Sequence, residues 1–306
     1  MKHNIKITLI LLGMFLITQF IGLYVVNYYS NTKVIDGKVV NVTAPALPYG
    51  MQTPPVENEI DFFKIFPSII IAFIIAISLI FVLSKFNADF FIKLWFFAVI
   101  ALALGISFNS IIPIFKYSSM IILFVAVVFA FFKIYRNSFL IHNLTELFVY
   151  PGIAAIFVPI LNVWTIIAFL ILISIYDMWA VWHSGFMQKM AKYQIQKLKV
   201  FSGFFIPYIS KKVKMNIQKM KKSELKTKKI KANVAILGGG DVIFPIITAG
   251  VMLKSFGFIS SLFIILGASI GLSYLLFYAE KKKFYPAMPF ISAGIFLGMI
   301  IGWLII

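Results

Sequence analysis

Asp177 and Asp241 each stand inside a long apolar run of a chain that offers few other groups capable of chemistry. A carboxylate within bilayer hydrocarbon is costly, so such a residue marks a functional site before it marks packing. The other eight carboxylates, Asp36, Glu57, Glu59, Asp61, Asp89, Glu146, Glu224 and Glu280, read as lying in polar loops or near the ends of apolar runs. There is no cysteine, which removes thiol nucleophiles and Cys-based metal sites. His3, His142 and His183 have no ligand spacing, so neither a metal site nor a cofactor is expected. Two neighbouring carboxylates in a low dielectric tend to share one proton. One can then take a proton from water while the protonated partner polarises a peptide carbonyl. The same pair can return a proton to the leaving amide nitrogen. The titration belongs to the pair, and sequence does not assign the roles within it.

These residues need a scaffold. The chain is 61% hydrophobic, which fits a polytopic membrane protein and not a soluble domain. Nine spans are predicted, at 5–29, 65–84, 90–112, 117–135, 142–159, 161–187, 233–253, 257–279 and 285–306. The fold class is all-α, with nine transmembrane helices. The first apolar run is too long for a signal-peptide core and no small-residue cleavage site follows, so it reads as a retained helix. The net charge of +18 reads as a topology signal and not as nucleic-acid binding. Fourteen lysines fall in residues 189–231 against the single acid Glu224. Basic loops alternate with weakly charged ones, giving a multi-pass cell-membrane protein with its N-terminus cytoplasmic and its C-terminus extracellular. The implied organisation is a six-helix part (1–188), a lysine-rich cytoplasmic loop (189–231) next to anionic membrane lipid, and a three-helix part (232–306). An apolar island from Val200 to Ile209 is expected on the membrane surface. The proline-rich outer loop, with a sequon at Asn41-Val42-Thr43, is expected to be irregular.

The sixth and seventh spans run antiparallel. Asp177 falls about 6–10 residues before the end of the sixth, and Asp241 about eight residues after the start of the seventh. At ~1.5 Å per residue both lie roughly 10–15 Å below the inner surface. Gly238, Gly239 and Gly240 precede Asp241, and each weakens a helix by about 1 kcal/mol relative to alanine. Pro245 has no N–H for the Asp241 carbonyl. Pro286-Ala287-Met288-Pro289 opens the last span, where prolines favour an extended start.

The ordered set Tyr176-Asp177, Gly238-Gly239-Gly240-Asp241 and Pro286-Ala287-Met288 resembles the presenilin and signal-peptide-peptidase family of intramembrane aspartyl proteases. That family carries YD on its sixth helix, GxGD on its seventh and PAL at its ninth. Met288 departs from the leucine of PAL, though it is apolar and of similar size. The short chain looks like a prokaryotic or archaeal homologue, with no partner subunits evident. The resemblance implies that Asp177 and Asp241 are the catalytic pair. It implies that the glycines shape the approach to Asp241, that Pro286, Ala287 and Met288 help hold substrate, and that Tyr176 supports the region. Substrates would be transmembrane proteins or signal peptides, unwound locally and able to pair with strand-like backbone of the enzyme. The alternative is a proton- or cation-coupled transporter using the paired aspartates, although the two halves show no internal repeat. A prepilin-type peptidase also has a GxGD aspartate but lacks this order of motifs. A structural scaffold leaves the two buried charges without a purpose.

Overall fold

The computed structural model describes residues 5–35, 37–56, 58–113, 115, 117–136, 138–184, 193, 200–208, 233–279 and 285–305. Among these, nine helices are long and apolar enough to cross a membrane. They are α1 (Ile5–Tyr29), α2 (Glu59–Lys85), α3 (Asp89–Ile111), α4 (Ser118–Tyr135), α5 (Phe139–Phe157), α6 (Val163–Trp179), α7 (Gly239–Phe256), α8 (Phe258–Tyr278) and α9 (Met288–Ile305). Six precede the lysine-rich stretch and three follow it. Most of residues 189–231 lies outside the described residues.

Local chemistry moves several helix ends from their expected places. α2 starts at Glu59 instead of 65, because Asn58 and Asp61 form a capping box in which the Asn58 N–H donates to Asp61 Oδ2 at 3.1 Å. α6 ends as an α-helix at Trp179 and continues as a π turn over Ala180–Ser184. The largest correction is at α7, which begins at Gly239 and not at 233. Residues Asn233–Gly238 instead form a strand, paired antiparallel with Gly203–Tyr208. The apolar run before the glycines alternates in exposure: Val234 and Ile236 are exposed, Ala235 and Leu237 buried. That is a period of two, and a short apolar run does not by itself distinguish strand from helix. Within the island expected on the membrane surface, Gly203–Tyr208 is likewise a strand, with Phe204 fully enclosed and Pro207 exposed.

Two two-stranded sheets therefore accompany the helices. In the α1–α2 connection, β1 (Thr32–Ile35) pairs with β2 (Lys38–Asn41), turning at Gly37 with φ +73°. The expected irregular loop is thus confined to the proline-rich stretch after Asn41. The second sheet, β3 (Gly203–Tyr208) with β4 (Asn233–Gly238), leads directly into α7.

α7 is central, packing on α1, α5, α6 and α8. Its neighbours share one apolar core that includes Phe15, Leu170, Ile246, Ile264 and Ile295. α8 and α9 meet glycine to glycine. A Cβ on Gly267 would strike the Gly294 backbone, and one on Gly298 the Phe263 backbone. α2 packs at the edge of this body, with Ile69 its one buried residue.

Candidate active site

Asp177 and Asp241 both sit at helix ends, although the sequence placed Asp241 well inside its span. Asp177 comes two residues before the end of α6, and Asp241 is the third residue of α7. The glycine run does not weaken the middle of a helix, as expected; it marks the change from strand to helix, with Gly238 as the N-cap. Asp241 occupies the third helical position, and its carboxylate turns back toward the Gly238 backbone amide, as the acid of a capping box does. Asp177 is buried, and its Oδ2 accepts the Met288 backbone N–H at 3.0 Å. The Ala287 amide also points at this carboxylate. Each aspartate thus lies against the N-terminus of a helix, Asp241 on its own and Asp177 on α9. The orphan N–H groups and partial positive charge there are a natural place for an acid in low dielectric.

α6 packs on α7, and Asp177 lies within electrostatic reach of Asp241. Asp177 Oδ1 is buried without a hydrogen-bond partner, while Asp241 is partly exposed. Next to the pair, Ser174 Oγ donates to Ser292 Oγ at 3.0 Å and ties α6 to α9. On the other side, Gln19 Nε2 of α1 donates to the Val242 carbonyl at 3.0 Å. This clamps α7 one residue beyond Asp241, where Pro245 leaves the Asp241 carbonyl without its helical partner.

The remaining candidate residues fall into two groups. The Ala287 and Met288 amides are brought to Asp177, with Pro286 buried just before them. Gly238 adjoins Asp241, and a Cβ there would lie 3.0 Å from Asp241 Oδ2. Gly239 is the glycine under packing constraint, since a Cβ would come within 2.8 Å of Ser202 Oγ and 2.9 Å of the Tyr150 hydroxyl. Gly240 is exposed and faces only the Phe244 ring. Tyr176 is 40% exposed, with its ring against Trp179 at 6.5 Å, so it is not drawn into the contact with α9.

Sequence reasoning missed a third intramembrane acid. Glu146, read as lying near the end of an apolar run, is fully buried inside α5. Its Oε1 lies 2.7 Å from Lys133 Nζ on α4 and 3.5 Å from His142 Nε2. The expected fifth span begins at 142, which places Glu146 close to its start, whereas α5 begins at Phe139. The available signal was Lys133, a cation inside the expected fourth span that needed a partner. Among the described residues no group of three or more His, Asp or Glu is placed to hold a metal ion.

A membrane-embedded helical bundle with two interacting carboxylates, each set against a helix N-terminus, belongs to the class of polytopic membrane proteins with an intramembrane acid pair. A profile described as "signal-peptide peptidase, presenilin aspartyl protease" matches residues 38–306. The chain belongs to that family and is an intramembrane aspartyl protease by membership, a hydrolase. Two solved structures share the fold, both described as a presenilin family intramembrane aspartate protease. The one in space group C222 has a TM-score of 0.58 at 18% identity, covering 98% of this chain and 99% of its own. The one in space group P2 has a TM-score of 0.60 at 18% identity, covering 97% of each chain. No curated protein gives a significant match. The transporter alternative is not favoured by these findings.

Proposed function

We propose that Asp177 and Asp241 together hydrolyse peptide bonds within the membrane-spanning segments or signal peptides of other proteins. The observation that carries this is the convergence of the two carboxylates at two helix N-termini, with Asp177 Oδ1 left unbonded. One carboxylate takes a proton from water as that water attacks the carbonyl carbon. The other, protonated, hydrogen-bonds the carbonyl oxygen, and a proton is then passed to the departing amide nitrogen. Partial exposure of Asp241 supports entry of water from its side. Gly238 and Gly240 keep that side free of bulk, and Pro286, Ala287 and Met288 hold substrate beside Asp177. A helical substrate has its peptide groups bonded to one another and must unwind first. β4, paired on one edge by β3, offers strand backbone to such a segment. The N-terminus and the lysine-rich stretch face the cytoplasm in this reading, and the C-terminus faces outward.

The test is cleavage of a transmembrane substrate by the purified full chain in lipid. Asp177→Asn and Asp241→Asn should each lower turnover by at least about 100-fold while the protein keeps its fold. Cleavage by either variant at the wild-type rate would sink the assignment.

A further inference from the structure

The outer edge of β3 is closed by side chains of α5, and the closure ends beside Asp241. The Gly203 N–H donates to Glu146 Oε1 at 3.1 Å, and His142 Nε2 donates to the Gly203 carbonyl at 2.8 Å. Two residues on, the Phe205 N–H donates to Asn143 Oδ1 at 3.1 Å and Asn143 Nδ2 donates to the Phe205 carbonyl at 2.8 Å. The next position on that edge is Pro207, which has no N–H to satisfy. α5 thus stands in for a third strand, using a polar face of His142, Asn143 and Glu146 at helical spacing.

Gly203 is where this edge and the catalytic turn meet. Its φ of +143° suits glycine, and a Cβ would come within 2.5 Å of the Leu237 carbonyl oxygen. Across the sheet it pairs with Gly238, the N-cap against which Asp241 folds. Ser202, just before it, packs on Gly239. A closed path therefore runs from Glu146 through Gly203 and Gly238 to Asp241.

We propose that Glu146, charge-balanced by Lys133 and assisted by His142, is a positioning residue that sets the height and orientation of Asp241 by fixing Gly203 against Gly238. This rests on the reading of Asp241 as catalytic. Buried ionic groups are costly, and apolar replacements of similar volume often serve packing as well or better. A packing role would therefore be met by an apolar pair, whereas positioning needs an acceptor for the Gly203 N–H.

That contrast supplies the test. Lys133→Met/Glu146→Gln removes both charges and keeps a carbonyl oxygen for Gly203. Lys133→Met/Glu146→Leu removes both charges and the acceptor. Both should melt near the wild-type temperature in detergent. The Gln variant should retain at least a third of wild-type kcat on a transmembrane substrate. The Leu variant should fall at least tenfold in kcat with KM changed less than threefold. Asn143→Ala, which touches neither charge, should lower kcat by a smaller factor. Wild-type kcat in the Leu variant, or a change confined to KM, would overturn the proposal. Amide hydrogen exchange supplies a readout that needs no cleavage: residues 233–241 should exchange at least tenfold faster in the Leu variant than in the Gln variant. Equal exchange in the two overturns the proposal, even if the wild type proves inactive and the catalytic reading itself fails.

Discussion

α2 and the α8–α9 pair are both apolar membrane spans, yet they are held in opposite ways. Only 6% of the span in α2 is buried, and its links to the body are ring contacts such as Phe66 and Phe73 on Phe169. α8 and α9 meet through Gly267, Gly271, Gly294 and Gly298, with backbone against backbone and no room for a Cβ. Lipid solvates apolar side chains as well as a neighbouring helix does, so apolar character alone holds nothing together in a membrane. Close backbone approach and interhelical hydrogen bonds do. The tight pair is the one that carries Met288, whose amide meets Asp177, so rigidity is concentrated beside that buried carboxylate.

The comparison breaks if the glycine face proves dispensable. Gly267→Val and Gly294→Val should each destabilise the protein by about 3 kcal/mol, at the upper end of overpacking costs. Cleavage should fall with them as Met288 shifts from Asp177; thermal unfolding and a cleavage assay on the same preparation read both. At the other end of the site, Gly239→Ala should cost about 1–2 kcal/mol by colliding with Tyr150 and Ser202, while Gly240→Ala leaves the melting temperature unchanged or higher. Ser292→Ala removes the bond from Ser174 and should cost about 1 kcal/mol, with a smaller loss of turnover than the glycine variants. Ile74→Ala on the exposed face of α2 should stay within about 0.5 kcal/mol of wild type. A larger effect there would show that α2 is bound more firmly than its burial indicates.

The acid pair and its three flanking motifs were legible because polar residues and clustered glycines are rare in apolar runs, and their order along the chain is specific. The number of spans was legible from length and loop charge. The strand at Asn233–Gly238 was not, since the four apolar residues Val234–Leu237 before a helix look like the first turn of that helix. Its alternation acquires meaning only when β3, from a distant part of the chain, pairs with it. Glu146 was hidden for a related reason. An acid near the edge of a segment reads as interfacial, and only the earlier start of α5 at Phe139 carries it two turns into the helix. The Met288 amide could not be found by residue type at all, because the group that meets Asp177 belongs to the backbone.

The Lys133–Glu146 pair also bears on how the chain enters a membrane. A lone charge near the middle of a span raises the cost of insertion by about 2.5–3.5 kcal/mol. α5 alone would carry the Glu146 carboxylate two turns into its span, while Lys133 stands in the last turn of α4, where the cost is lower. With three residues, 136–138, between them, the two helices can leave the translocon as one neutralised hairpin. Both helices are synthesised before residues 203–208, so the acceptor for Gly203 is made before the strand that uses it.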